Sequence, residues 1–235
     1  MMSLHAKLDA FWRKPLPYWF TLSLLAAATP LTFAPYYHFW LMPLLFAAFI
    51  RLLELRPHFQ VRSAYLFGLI AYVCQFYWVH TALHDVSGLP NLYAIPLTFL
   101  LPAYLALFPA AAIWLWEKLH LPRVYKIGIA LPILWTLTEF ARERLLTGFG
   151  WGALGYSQIT PHSPLAGFAP LGGIHLVSLI TALIGAWLVL AVNNTHIKQR
   201  LSATALILCS LAIGYTAKQT EFTQTIGQPT TIALA

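Results

Sequence analysis

The sequence predicts an all-α protein: a polytopic transmembrane helix bundle of about seven spans whose N-terminus is cytoplasmic. Of its 235 residues, 59% are hydrophobic and only 9% are charged, whereas a soluble domain usually carries about 25% charged residues. The apolar residues also form long runs, several of which approach or exceed the roughly 20 residues that cross a bilayer core. A water-soluble fold of this size could not bury so much apolar surface, so soluble classes are excluded.

Seven apolar runs are the predicted spans, and they cover residues 17–34, 38–55, 62–82, 91–116, 125–141, 172–192 and 199–217. The first run follows basic residues, as a signal peptide does, but its length and the runs behind it indicate a retained helix. Prolines in the runs, such as Pro30, Pro96 and Pro132, predict kinks that neighbouring helices must compensate. Together the runs predict a transmembrane helical domain over residues 1–217.

The lysines and arginines predict the orientation of this domain. With the N-terminus inside, 11 of the 14 lysines and arginines fall on the cytoplasmic side, and only Arg142, Arg144 and Lys218 fall outside. This bias follows the positive-inside rule, which the opposite orientation would violate. The net charge of +7 therefore reflects membrane topology, and no nucleic-acid partner is expected.

The tail, residues 218–235, lies outside the membrane in this topology. It is polar up to its last six residues, TTIALA, whose β-branched and apolar composition is typical of a strand. We interpret the tail as the lead-in to an outer domain, with a short disordered tail as the alternative.

A cluster of charges ends the fifth run. If the helix continues through it, Glu139 shares a face with Arg142 and Glu143, which follow three and four residues later. One interpretation is a solvated helix end with weak local ion pairs. The other is a wall of charged groups at the outer membrane surface that handles phospholipid head groups, since ionisable groups at membrane depth usually serve a function.

The segment TGFGWGALGYSQITPHSPLAGFAPLGG, residues 147–173, follows the charges and contains no predicted span. Non-helical backbone beside a membrane needs protein or a water-filled cavity around it. Trp151 and Tyr156 offer amphipathic rings, so the segment is either an interfacial loop with anchoring aromatics or a lipid-facing groove. Ser157 is a weak nucleophile candidate because GYSQI lacks the last glycine of a nucleophile elbow.

Other reactive side chains give weaker signals. His80, His84 and Asp85 have the spacing of metal ligands on a helix, but no further ligand is evident, and a polar turn at a helix end is favoured. Cys74 and Cys209 lie inside apolar runs, away from any group that would activate them, and are interpreted as inert core thiols. No nucleotide, dinucleotide, redox or zinc motif occurs, so no metal and no cofactor are expected.

Several stretches together resemble one family, the apolipoprotein N-acyltransferases. They are FAPYYHFWLMPLL at 33–45, YWVHTALHDVSGLP at 77–90, LLPAYLALFPA at 100–110, LWTLTEFARERLLTGFGWGALGYSQ at 134–158 and SPLAGFAPLGGIHLVSLI at 163–180. The resemblance covers nearly the whole chain, and the stretch around residues 134–158 is the most specific part of it. Gly150 and His80 depart from the family pattern, where proline and tyrosine are more usual.

The resemblance implies eight membrane helices in the bacterial inner membrane and a periplasmic nitrilase-like domain between the seventh and eighth helices. A Glu-Lys-Cys triad there takes an acyl chain from a phospholipid as a thioester and passes it to the diacylglyceryl-cysteine of an apolipoprotein. The implied partners are therefore a phospholipid donor, an apolipoprotein acceptor and the membrane. The tail QPTTIALA matches the lead-in to that domain, so the triad is expected to be missing and the chain alone inactive.

By resemblance, the positions that face substrate in the lipid cleft are Trp151, Gly148, Phe149, Tyr156 and Gln158, with Glu139 and Arg142 behind them. No catalytic residue is assigned within the chain. The alternatives are a small polytopic transporter or channel and a non-catalytic membrane scaffold. A transporter predicts inverted repeats and ionisable groups at several span centres, and the sequence shows neither.

Overall fold

The computed structural model describes residues 9–146, 148–223 and 227. Lys7, Thr147 and the strand-like TTIALA lie outside these residues. Within them, helix is the regular secondary structure and no strand occurs, which confirms the all-α class. The principal helices are α1 Pro15–Ala27, α2 Leu41–Leu55, α3 Gln60–Gln75, α4 Trp78–Val86, α5 Asn91–Leu105, α6 Leu107–Lys118, α7 Arg123–Arg144, α8 Ala169–Asn193 and α9 Ile197–Lys218.

Helices occupy all seven predicted spans, but not all of them are long enough to cross a bilayer alone. Among the described residues, four stretches are long and apolar enough, and a fifth arises if α3 and α4, which are bent by 51°, form one span. The four are Asn91–Lys118, Arg123–Arg144, Pro164–Asn193 and Ile197–Lys218. Helices α1 and α2 have only 13 and 15 residues, or about 20 Å each at 1.5 Å per residue, against a bilayer core of about 30 Å.

The helices are interrupted at prolines and glycines. Pro96 and Pro102 lie inside α5, where each removes a backbone donor. In α8, Gly172 and Gly173 leave helical geometry, with φ of −158° and 64°. The regular part of α8 therefore begins near the predicted start of that span, and the change of backbone direction at the glycines lets the preceding 3₁₀ segment pack against the helices.

Aromatic side chains from α2, α3 and α7 form the centre of the largest core cluster. The rings of Phe49 and Phe67 stack at 4.4 Å, and the ring of Phe46 meets Trp135 edge-on at 4.9 Å. Because Trp135 lies one turn before Glu139, this packing fixes the end of α7 against the bundle.

Candidate functional site

A cleft of about 750 Å³ opens at the end of the bundle where α7 terminates. Three segments line it: the connection between α1 and α2, the bend between α3 and α4, and the loop that follows α7. Most of its side chains are aromatic or apolar, with Gln75 and Cys74 among the polar exceptions. The aromatic residues of the cleft are Phe33, Tyr36, Tyr37, Phe76, Tyr77, Trp78, Trp151 and Tyr156.

Trp151 and Tyr156, both predicted from the sequence, lie on the wall of this cleft. Trp151 is 57% exposed, and its ring centroid lies 5.2 Å from that of Trp78. Phe149 lies behind it, with ring centroids 5.5 Å from Trp151 and 5.0 Å from Phe76. These rings form a continuous aromatic wall that joins the loop to the bend between α3 and α4.

Gly148 forms the turn after α7 and does not contribute to the aromatic wall of the cleft. Its φ is 75°, a left-handed conformation that favours glycine, and an added Cβ would lie 2.1 Å from the carbonyl oxygen of Glu143. The amide of Phe149 then donates to the carbonyl of Arg142 at 2.9 Å. The turn therefore folds the loop back over α7, and Gly148 is not among the residues that line the cleft.

The Glu139 carboxylate fastens the loop to α7. Its Oε1 accepts hydrogen bonds from Trp135 Nε1 at 3.1 Å and from the amide of Leu154 at 2.9 Å. Its Oε2 is buried without a hydrogen-bond partner among the described residues, and the residue borders a cavity of about 30 Å³ beneath the cleft.

Arg142 is the largest fully buried side chain of the described chain, 1% exposed. Its guanidinium carbon lies 5.2 Å from the centre of the Tyr72 ring, and none of its nitrogens has a hydrogen-bond partner within the described ranges. The solvated helix end expected as one interpretation does not apply to Glu139 and Arg142, because both are buried. It does apply to Glu143 and Arg144, whose exposed side chains pair at 3.7 Å.

Gln158 is not among the residues that line the cleft. It is 1% exposed, and its Nε2 donates to the carbonyl of Phe39 and to Ser157 Oγ, both at 2.9 Å. Its Oε1 accepts from Ser163 Oγ at 2.8 Å. Gln158 therefore ties the loop to the start of α2, and the buried Ser157 hydroxyl, which donates to Leu154 O, is not open to a substrate.

Residues 25–187 match the family described as the apolipoprotein N-acyltransferase N-terminal domain. The chain belongs to the apolipoprotein N-acyltransferase family. It is 70% identical over 230 residues to an apolipoprotein N-acyltransferase of Neisseria meningitidis serogroup B, and the alignment covers 97% of this chain and 45% of that relative. It is 45% identical over 213 residues to a protein of the same name from Chromobacterium violaceum, and this alignment covers 91% of this chain and 41% of that relative. The chain therefore spans about 45% of the length of the first curated relatives it matches.

The two histidines of α4 lie beside polar partners within the chain. His80 Nε2 lies 3.0 Å from Asn91 Oδ1, and His84 Nδ1 lies 2.8 Å from the carbonyl of Leu89. Among the residues the structure describes, no group of three or more His, Cys, Asp or Glu side chains could hold a metal ion. The favoured interpretation, a polar turn at a helix end, fits these contacts.

The two cysteines are not core residues. Cys74 is partly buried and lines the cleft, while Cys209 is exposed on α9. Both are free thiols. The prediction of core thiols fails because the apolar runs they occupy are only partly covered by neighbouring helices.

Two residues of α8 that the sequence did not single out contact the end of α7 and the loop after it. His175 Nε2 lies 2.5 Å from Glu143 Oε2, and the buried Ser178 Oγ accepts from the amide of Gly155 at 2.8 Å. They lie three residues apart, on one helical face, directly after the Gly172 kink. Polar side chains at that spacing in an apolar span were the available signal.

Proposed function

We propose that this chain is the membrane part of a phospholipid:apolipoprotein N-acyltransferase and that the aromatic cleft holds the acyl donor. Membership of the family supports the reaction class. The observation that carries the site is the cleft itself, about 750 Å³ and walled by exposed rings such as Trp151 and Trp78. Amphipathic rings at a membrane surface pack against acyl chains while their polar edges remain among head groups.

In this proposal the chain crosses the bacterial inner membrane seven times, with its N-terminus cytoplasmic. The helix pairs α3–α4 and α5–α6 each form one crossing, and the other five helices form one crossing each. Helix α1 gains length from the 3₁₀ turn Thr29–Thr32, and together they span about 28 Å. The Arg123 guanidinium pairs with Glu54 at 2.6 Å, which places the basic ends of α2 and α7 at the same end of the bundle. That arrangement supports the orientation deduced from the positive-inside rule.

The reaction needs an activated nucleophile, and the described residues do not place a base or a lysine beside either cysteine. No lysine lies among the residues that line the cleft around Cys74, and Cys209 lies on the exposed side of α9. We infer that a nitrilase-like domain, joined through the tail 218–235, supplies the Glu-Lys-Cys triad. The cysteine thiolate would attack the acyl ester of the phospholipid in the cleft, forming a thioester and releasing a lysophospholipid whose alkoxide takes up a proton. The α-amino group of the apolipoprotein's diacylglyceryl-cysteine would then attack the thioester, forming an amide with loss of the amine proton and regenerating the cysteine thiolate.

Genetic complementation tests whether the 235-residue chain is active without the nitrilase-like domain. In a strain depleted of its apolipoprotein N-acyltransferase, we expect the 235-residue chain alone to give no growth, because the triad is not supplied. The same chain extended by the remaining sequence of a close relative should restore growth. Rescue by the 235-residue chain alone would overturn the proposal that it is inactive.

Trp151→Ala is expected to weaken retention of phospholipid in the cleft about tenfold, because a large buried apolar contact with the acyl chain is lost. The measurement is cross-linking of a phospholipid that carries a photoreactive acyl chain, with the labelled peptides identified by mass spectrometry. Trp40→Ala is the matched control, since Trp40 is 55% exposed but does not line the cleft. Equal labelling of the two variants would place the donor elsewhere.

A further inference from the structure

Arg56, at the turn between α2 and α3, is held on a platform of three aromatic rings. Its guanidinium carbon lies 4.5 Å from the centre of the Phe59 ring, 5.2 Å from Tyr18 and 6.0 Å from Trp19. The rings are held by one another and by α3: the Trp19 ring lies edge-on to Tyr18 at 5.0 Å and to Phe59 at 6.2 Å. In addition, Tyr18 OH and Ser63 Oγ share a hydrogen bond of 2.7 Å. The guanidinium is therefore preorganised at the basic end of the bundle, opposite the cleft.

This preorganised cation has no anion of its own within the described chain. Arg56 forms none of the ion pairs found among the described residues, and its Nη1 is buried without a hydrogen-bond partner there. The nearby acids serve other cations. Asp9 pairs with Arg51 at 2.5 Å, and Glu54 receives two hydrogen bonds from Arg123, at 2.6 and 2.9 Å.

Further positive charge converges on the same place. The hydrogen bond between Tyr18 and Ser63 joins the beginnings of α1 and α3, so the exposed basic residues at the beginnings of these two helices lie at the same end of the bundle. These residues are Arg13, Lys14 and Arg62, with His58 exposed in the turn beside Arg56. Neither α1 nor α3 carries an acidic residue in its first turn to offset them.

We propose that Arg56 and its aromatic platform bind the phosphodiester of an anionic phospholipid at the membrane surface opposite the cleft. A guanidinium fork matches phosphate geometry, and basic groups near a helix end at the membrane surface attract anionic head groups. The rings of Trp19 and Phe59 beside the guanidinium offer an apolar surface to the acyl chains of a lipid, which a free phosphate ion would not use. The proposal rests on the proposed membrane insertion but not on acyl transfer, so the two can fail separately.

Lipid retention by the purified 235-residue chain tests the site. Native mass spectrometry would compare phosphatidylglycerol with phosphatidylcholine, with inorganic phosphate as the competitor. We expect the wild type to prefer phosphatidylglycerol, and we expect Arg56→Gln to weaken that binding about five- to tenfold, as loss of one well-placed cation at the surface would. Arg56→Lys, which keeps the charge but not the fork, should fall between them.

Lys198→Gln is the matched control, because it removes one exposed cation from the beginning of α9, a helix that contributes no ring to the Arg56 platform. Binding by this variant should stay within about twofold of the wild type. If both glutamine variants lose binding equally, the effect is bulk charge and the site is refuted. Competition by inorganic phosphate at matched concentration would assign a soluble anion instead of a lipid, and no preference by the wild type for phosphatidylglycerol would overturn the proposal outright.

Discussion

Glu139→Ala is expected to lower the free energy of unfolding by about 3–5 kcal/mol, the loss typical when one member of a buried charged set is removed. The side chain is 5% exposed, and its Oε1 holds both the Leu154 amide and the Trp135 indole. Alanine would leave two buried donors without an acceptor. It would also remove the acid that lies one helical turn from the buried Arg142. Unfolding in mixed detergent micelles, followed by circular dichroism, measures the loss.

Two variants separate the causes of this loss. Glu139→Gln keeps an oxygen that can accept both hydrogen bonds but removes the charge, so a smaller loss of about 1–3 kcal/mol is expected. Glu143→Ala makes the same change as Glu139→Ala one turn later on α7, where the side chain is 41% exposed. Its loss should be about 0–1 kcal/mol. Equal losses for the two alanine variants would show that burial of the Glu139 carboxylate does not matter.

Gly148→Ala is the second large effect, with an expected loss of about 3 kcal/mol in the same unfolding measurement. A left-handed φ of 75° costs a non-glycine residue about 1–2 kcal/mol. The added Cβ would also lie 2.1 Å from Glu143 O, an impossible contact with backbone, so the turn must open. The aromatic wall that begins at Phe149 would then shift away from the cleft.

Gly88→Ala is the control, because Gly88 has nearly the same φ, 73°, but no atom lies within 4 Å of its added Cβ. It should therefore lose only about 1 kcal/mol. In a Cys209→Ser background, maleimide labelling of Cys74, which lines the cleft, should change in Gly148→Ala and not in Gly88→Ala. The account of the turn fails if the two glycine variants lose equal stability and leave the labelling unchanged.

The class of the protein and the position of its helices could be predicted from the sequence, because both depend on local properties. Runs of apolar residues mark helices, and the glycines and polar residues after Arg144 mark a segment that cannot span a membrane. The lengths of α1 and α2 could not be predicted this way. The apolar run of α1 continues past Ala27, but the chain changes there to a 3₁₀ turn at Pro30.

The loop after α7 was located by the sequence, but the roles of its residues were decided by tertiary contacts. Trp151 and Tyr156 reach the cleft, whereas Gln158 turns inward to the carbonyl of Phe39, 119 residues earlier. Local sequence patterns do not predict such a distant partner, because the hydrogen bond depends on how α2 and the loop pack.

The same limit applies to the charges. The sequence by itself determined an apolar, helical class of protein and a cluster of ionisable groups at the end of the fifth run, and the orientation deduced from its lysines and arginines stays a prediction. Only the packing of distant segments decided that Glu139 and Arg142 are buried while Glu143 and Arg144 are exposed. Burial, and with it the strength of an electrostatic interaction, is a property of the surrounding three-dimensional structure and not of spacing along one helix.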